Sequence, residues 1–442
     1  MSTILSTIDR PTWVPLSANQ AGRVALAMGP DRWIKPPCHF GFWIHGAIDP
    51  HLVACTLTAI ARRHTALRYM FDLDTRMDAA SCLAPSEVSW PLKVVDLRAL
   101  PEGSRDAELR SEIAALRAPF SLNGQPLIRA TLIRRAQSAW LLGISVDHIV
   151  FDGGSVSPFL RDFEGLYRSF AEGTPSSALG PGSDFGAFAI REGRWLESED
   201  GVGSVLHWLA RWPRGGPFRP MPLPGPRVGA ASGVGSWSCE VRPDQLSRAR
   251  QASGASRSVS AFGMVTAALV AATRQVGDHP TEWGLVFPFS RRVWPGTRHG
   301  IGYYNNRLYL DIPSKGEQQF RAVLHEMQEP ISQALTHGMV PLELLLRNGQ
   351  RELYDRKPSA SYLFINMTSR PASPRIDGAQ TVFTWLESET GSASVRGLTF
   401  NCEVRADKSL SMSATYNTEQ YDRTVMAELL DGTRRILCGD QA

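Results

Sequence analysis

Cysteine is sparse in this 442-residue chain, with six residues at 38, 55, 82, 239, 402 and 438. No two form a CxxC pair, and none stands at zinc-site spacing from a histidine. That excludes a disulfide-stapled scaffold and a zinc ribbon, and it predicts reduced, mostly buried thiols. No stretch nears the roughly 18 apolar residues of a membrane helix. The start, MSTILSTIDRPTW, has no basic segment leading into an apolar run, so it does not read as a signal peptide. Runs of five like charges are missing as well. The 47 Lys and Arg are scattered among 43 Asp and Glu for a formal net charge of +4, without the dense stripe of a nucleic-acid groove. The expectation is a soluble, cytoplasmic protein that works with neither nucleic acid nor membrane. Its mildly basic balance is compatible with a small acidic protein partner.

What is present is a set of periodic apolar segments. At 43% hydrophobic, the chain exceeds what one core normally fills, which predicts two domains. AIDPHLVACTLTAIARRHTALRYMF reads as one helix, capped by Asp49 with Pro50 at its first position. Val53, Leu57, Ile60, His64 and Leu67 fall on one face of it. PLIRATLIRR and SAWLLGISVD read as paired strands. Ser157-Pro158 then signals a second helix, with Phe159, Phe163, Leu166 and Phe170 as its stripe. Residues 171–183 read as a connector, and the Pro- and Gly-rich stretch 214–235 as an extended crossover. Strand-like SWSCEVRP opens a second half. A helix through Val265, Leu269, Ala272 and Val276 follows, then the strands WGLVFPF, NNRLYLDI, LFINM, LTFNCEV and LSMSATY, and a closing helix RTVMAELLDGTRRIL. Strands and helices mix without strict βαβ alternation, which predicts an α+β class of two open sandwiches. The expected boundaries are an N-terminal lobe over 1–175, a linker and crossover over 176–235, and a C-terminal lobe over 236–442.

The stretch SVDHIVFDGG, 145–154, concentrates the chemistry. His148 follows a predicted strand, and Asp152 with Gly153 completes H-x-x-x-D-G. Glycine there permits a tight turn, and Asp152 can tie the loop by hydrogen bonds or an ion pair. On spacing alone three readings stand: a structural histidine, a catalytic base, or a metal ligand. The last has no second close ligand to support it.

Further segments fit one family. DHIVFDG resembles the HHxxxDG motif of the condensation-domain superfamily of nonribosomal peptide synthesis, relatives of chloramphenicol acetyltransferase. LSANQAGRVAL is similar to that family's opening S-x-A-Q-x-R segment with one residue extra. RRHTALRYMF resembles R-H-x-x-L-R-x-x-F. SDFGAFAIREGRWLE with HWLARWPRGGPFRPMPLP is similar to its linker helix and proline-rich pattern. LVFPFSRR resembles a strand ending in arginine, GIGYYNNRLYL is similar to G-x-F-V-N-T-x-x-x-R, and GMVPLELLL to Q-D-x-P-F-E. The matches run in order over nearly the whole chain. DFGAF, at 184–188, lies in the linker and not near the C-terminus, which counts against the plant-type acyl-CoA transferases.

The resemblance implies two chloramphenicol-acetyltransferase-like α/β sandwich lobes in a V-shaped pseudo-dimer, with a central tunnel. It implies a free-standing condensation enzyme that moves an acyl group from a carrier-protein thioester to a small-molecule amine or alcohol. The alternatives are an acyl-CoA-dependent acyltransferase and a non-catalytic recruitment module. No cofactor of its own is implied, only the phosphopantetheine arm of a partner acyl or peptidyl carrier protein as donor tether. His148 takes the catalytic role. Asp152 is implied to be structural and paired with an arginine of the other half, Arg291 first and Arg292 second, against a plain surface pair. Asn306 either binds substrate or caps a turn. The chain departs from the pattern at Asp147, where the family has its first histidine. An aspartate there is expected to accept backbone N–H bonds, to point opposite to His148, and to be interchangeable with histidine.

Overall fold

The computed structural model describes residues 12–28, 36–174, 179–211, 221, 223–224, 233–255, 259–276, 282–313, 316–349, 362–386 and 397–440. The chain divides into two compact units. One comprises Met1–Glu197, Ser290–Asn305 and Pro371–Glu387; the other comprises Ser198–Phe289, Asn306–Arg370 and Ser388–Ala442. The contiguous boundaries at 175 and 235 therefore give way to an interleaved division. The reason is strand pairing: Ala379–Trp385, far along the chain, pairs antiparallel with Cys38–Gly46. Most of the stretch 214–235 lies outside the described residues.

The first unit is built on a five-stranded sheet. Its order is Ala379–Trp385, Cys38–Gly46, Ala139–Val146, Ile128–Ala136 and Leu92–Asp96, and only the last pair is parallel. Ala139–Val146 is the central strand and is buried on both faces, which explains why its sequence is apolar but for Ser145. Trp140, Leu142, Ile144 and Val146 join the main core with Phe40, Phe42, Phe159 and Phe163. Leu141 turns to a smaller core with Leu109 and Leu116. A three-stranded sheet of Thr12–Pro15, Arg76–Cys82 and Tyr69–Asp72 completes the unit.

Two helices pack together in this main core, Pro50–Arg63 and Val156–Glu172. Asp49 caps the first by accepting from His51 N–H at 2.8 Å. This helix is shorter than its periodicity suggests. His64 leaves it in an extended conformation, and Thr65–Arg68 forms a 3-10 turn before a strand begins at Tyr69. What draws His64 out is a buried carboxylate: His64 Nε2 lies 2.9 Å from Asp162, and Ser183 Oγ lies 2.8 Å from Nδ1. Burial would raise Asp162, but hydrogen bonds from His64 and Arg161 prevail and bring it down to about 2.

In the second unit a six-stranded sheet runs Asn305–Ile312, Trp283–Ser290, Tyr362–Ser369, Gly397–Val404, Leu410–Asn417 and Val234–Val241. Helix Ala261–Val276 is buried from Gly263 to Arg274 and packs against Phe320–Thr336 and Arg423–Cys438. Among the described residues no helix is long and apolar enough to cross a membrane.

Candidate active site

The central strand ends at Val146, and the next six residues form the loop that carries the candidate base. Ile149, Val150 and Phe151 sink into the main core, with Phe151 stacked on Phe40 at 5.7 Å. Residues 144–147 and 149–152 are all buried, while His148 is half-buried. Its imidazole meets the Tyr303 ring edge-on at 5.4 Å. Burial of its neighbours thus leaves one titratable side chain of this loop open to approach.

Asp147 is fully buried and accepts three kinds of donor. Arg23 Nη2 reaches both carboxylate oxygens, at 2.9 and 3.0 Å, and Arg23 Nε reaches Oδ1 at 3.2 Å. Ile149 N–H adds a bond of 2.8 Å. The backbone bond is the kind expected of an aspartate here; the guanidinium is not in that expectation. A histidine at this position would set no anion opposite the buried guanidinium.

Asp152 is also fully buried, and its partner is Arg292, not Arg291. Arg292 Nη1 and Nη2 grip its two oxygens at 3.0 and 2.6 Å, and Ser155 Oγ donates to Oδ1 at 2.8 Å. Arg291 instead pairs with the buried Glu192 and donates from Nε to Tyr304 O at 3.2 Å. Consecutive residues leaving a strand diverge to opposite sides, and sequence does not tell which side faces Asp152. Arg292 continues to Gly300 O, through Nε at 3.2 Å and Nη2 at 3.1 Å. Ser155 Oγ, its proton turned to Asp152, accepts from Gly302 N–H at 3.1 Å. Together these bonds fix the 300–302 loop that presents Tyr303 to His148.

The two glycines of the motif differ. A Cβ on Gly153 would meet nothing within 4 Å, whereas one on Gly154 would come within 2.5 Å of Arg292 Nη1. The close approach is at 154, to the guanidinium that grips Asp152; at Gly153 the space is open. Gly153–Ser155 is a 3-10 turn that runs into the helix Val156–Glu172, one turn ahead of the expected start.

Asn306 holds backbone, as the turn-capping alternative expects. Its Nδ2 donates to Gly338 O at 2.8 Å and Val340 O at 2.7 Å, and its Oδ1 accepts from Leu342 N–H at 3.1 Å. Both donors of the side chain and one acceptor site of its oxygen are committed to the backbone of the GMVPL segment. His39, cross-strand from Ser145, is lowered to about 4 by burial, with Arg117 and Arg129 beside it. Among the described residues no group of three or more His, Cys, Asp or Glu could hold a metal ion.

Gln20, Arg23, Ser155, Glu192, Arg292 and Tyr303 shape this site, and of these only Arg292 stood among the sequence candidates. Gln20 and Arg23 had a signal, the LSANQAGR segment, where they stand three apart on one helix face.

The profile described as "Condensation domain" matches residues 13–439, and the chain belongs to that family. Chondramide synthase cmdD of Chondromyces crocatus is 28% identical over 305 residues, covering 68% of this chain and 8% of that protein. Phosphinothricin tripeptide synthetase PhsC of Streptomyces viridochromogenes is 28% identical over 333 residues, 74% of this chain and 30% of that one. The chain thus spans a small part of the curated relatives it matches. Among solved structures, the condensation domain from monacolin K polyketide synthase MokA aligns with a TM-score of 0.76 at 15% identity, covering 97% of each chain. The X-domain from teicoplanin biosynthesis aligns at 0.75 and 19% identity, covering 99% of this chain and 96% of its own. These likenesses establish the fold, an α+β architecture of the chloramphenicol-acetyltransferase kind.

Proposed function

We propose that the chain is an acyltransferase that joins an acyl group, held as a carrier-protein thioester, to an amine or hydroxyl of a small acceptor. The observation that carries this reading is the exposure pattern of the DHIVFDG loop, in which His148 is the one accessible side chain between buried, fastened neighbours. His148 Nε2 accepts the proton of the acceptor as its nitrogen or oxygen attacks the thioester carbonyl. Collapse of the tetrahedral intermediate forms the C–N or C–O bond and breaks the C–S bond. The imidazolium returns its proton to the departing thiolate. The first N–H groups of a helix have no intrahelical partner, so those of Gly153 and Gly154 offer donors for the intermediate's oxyanion. The donor tether is the phosphopantetheine arm of an acidic acyl or peptidyl carrier protein, which the chain's net charge of +4 suits.

Intact-mass analysis of a loaded carrier protein, mixed with enzyme and a panel of amines and alcohols, tests the reading. Loss of the acyl mass with matching product, dependent on His148, is expected. Turnover of acyl-CoA at lower concentration than the loaded carrier would replace the carrier with CoA as donor. A second reading, a module that recruits another enzyme, draws on Asp147, the departure from the two-histidine pattern. Release identical in wild type and His148→Ala would favour it.

A further inference from the structure

We propose that Gln20 and Arg23 are positioning residues for His148, and that the Arg23–Asp147 ion pair takes the place of the first histidine of the HHxxxDG pattern. The inference rests on the reading of His148 as general base. Helix Ala18–Met28 carries Gln20 and Arg23 one turn apart. Arg23 grips residue 147 by the three bonds given above, and Gln20 Nε2 donates to Ile149 O at 2.9 Å. These are the two chain neighbours of His148. The main chain is tied at the same points, with Asp147 N–H on Leu127 O at 2.8 Å and Val150 N–H on Asp147 O at 3.1 Å. His148 is the crown of a loop fastened on both flanks.

The helix that does the fastening is itself fixed. Ser17 and Gln20 cap its start reciprocally, Ser17 N–H to Gln20 Oε1 at 3.1 Å and Gln20 N–H to Ser17 Oγ at 3.3 Å. Ala18 N–H donates to Glu192 Oε2 at 2.7 Å, and the same carboxylate holds Arg291. Both anchoring side chains are buried, Gln20 at 0% and Arg23 at 5% exposure.

The pair is charge-specific. A guanidinium offers five donors and no acceptor, and a carboxylate offers acceptors only. A neutral imidazole at 147 would supply one acceptor, and a protonated one none. The aspartate and Arg23 are therefore a single unit. The two charges oppose each other at the flank of His148, with Arg129 also attracted to Asp147, so the imidazole is not set against a lone anion or a lone cation.

An NMR titration of His148 in the full chain, with carbon-labelled histidine and His148→Ala to assign the signal, tests this without substrate. Arg23→Gln removes the guanidinium that grips the carboxylate, leaving the Coulombic attraction of Arg129 as its offset, and is expected to raise the His148 midpoint. Asp147→Asn leaves a guanidinium uncompensated and is expected to lower it. Each shift should be about half a pH unit or more, and the double variant should return to within about 0.2 of wild type. Single variants that move the midpoint in the same direction, or not at all, overturn the proposal. Where a single variant does not fold, Arg23→Lys keeps the charge and loses the two-pronged grip. It should leave the midpoint unchanged and lower kcat about tenfold or more at constant KM. Wild-type kcat in Arg23→Lys also overturns it. A wild-type chain that titrates as expected but transfers no acyl group counts against the acyltransferase reading alone.

Discussion

Asp152→Ala removes the anion from a pair whose two side chains are 0% and 8% exposed. Three acceptor contacts vanish, two from Arg292 and one from Ser155. Breaking one side of a buried ion pair costs about 3–5 kcal/mol. Arg292 is not stranded, because Gly300 O and Ser155 Oγ still accept from it and its charge lies over the Tyr304 ring at 4.5 Å. The loss should therefore fall near the lower end, about 3 kcal/mol, or roughly a hundredfold in the folding equilibrium. For a unit of this size that is a drop of about 6–12 °C in Tm. Urea unfolding followed by tryptophan fluorescence reads the loss, and a double-mutant cycle apportions it. Asp152→Ala with Arg292→Met should show coupling of about 2 kcal/mol or more, and Asp152→Ala with Arg291→Met close to none. Asp152→Ala with a midpoint within about 0.5 kcal/mol of wild type, or equal coupling to both arginines, would refute the reasoning.

His148→Ala should lower acyl transfer by at least about a hundredfold with Tm unchanged, read by carrier-protein intact mass; a folded variant with normal turnover removes the base. Gly154→Ala should displace the Arg292 guanidinium and lower both Tm and activity, while Gly153→Ala leaves Tm within about 1 °C, since only the former's Cβ meets a neighbour. Asp147→His should lose about 3 kcal/mol in urea unfolding, because it faces Arg23 with no anion; wild-type stability would show that the guanidinium finds another partner. Asp162 sits below its ordinary value of 3.8, at about 2. A depressed carboxylate stabilises fully above its unfolded value and loses that contribution as pH falls through the folded one. On the order of 2 kcal/mol should thus disappear between about pH 5 and pH 2, and Asp162→Asn should flatten that limb of the stability–pH curve.

Much of this protein is legible in its sequence. Apolar periodicity located the paired strands Ile128–Ala136 and Ala139–Val146, the helix after the motif, and the strands and closing helix of the second half. It does so because burial on one face or both imposes a spacing that a single chain displays. The family was readable because its segments, loose one by one, occur in order. The DHIVFDG loop drew attention to His148, because a motif of seven consecutive residues is local information. What sequence alone did not determine was partnership. Arg291 and Arg292 are identical in type and adjacent, and only the exit direction of their strand sends one to Glu192 and the other to Asp152. What Asn306 holds, three backbone groups of residues 338–342, is decided by what packs around it and not by its type. The interleaving of the two units follows from a strand, Ala379–Trp385, whose pairing partner lies more than 300 positions earlier. And the aspartate at 147 acquired its meaning from Arg23, 124 positions away: a carboxylate advertises its charge in the sequence, but which cation answers it is settled by packing.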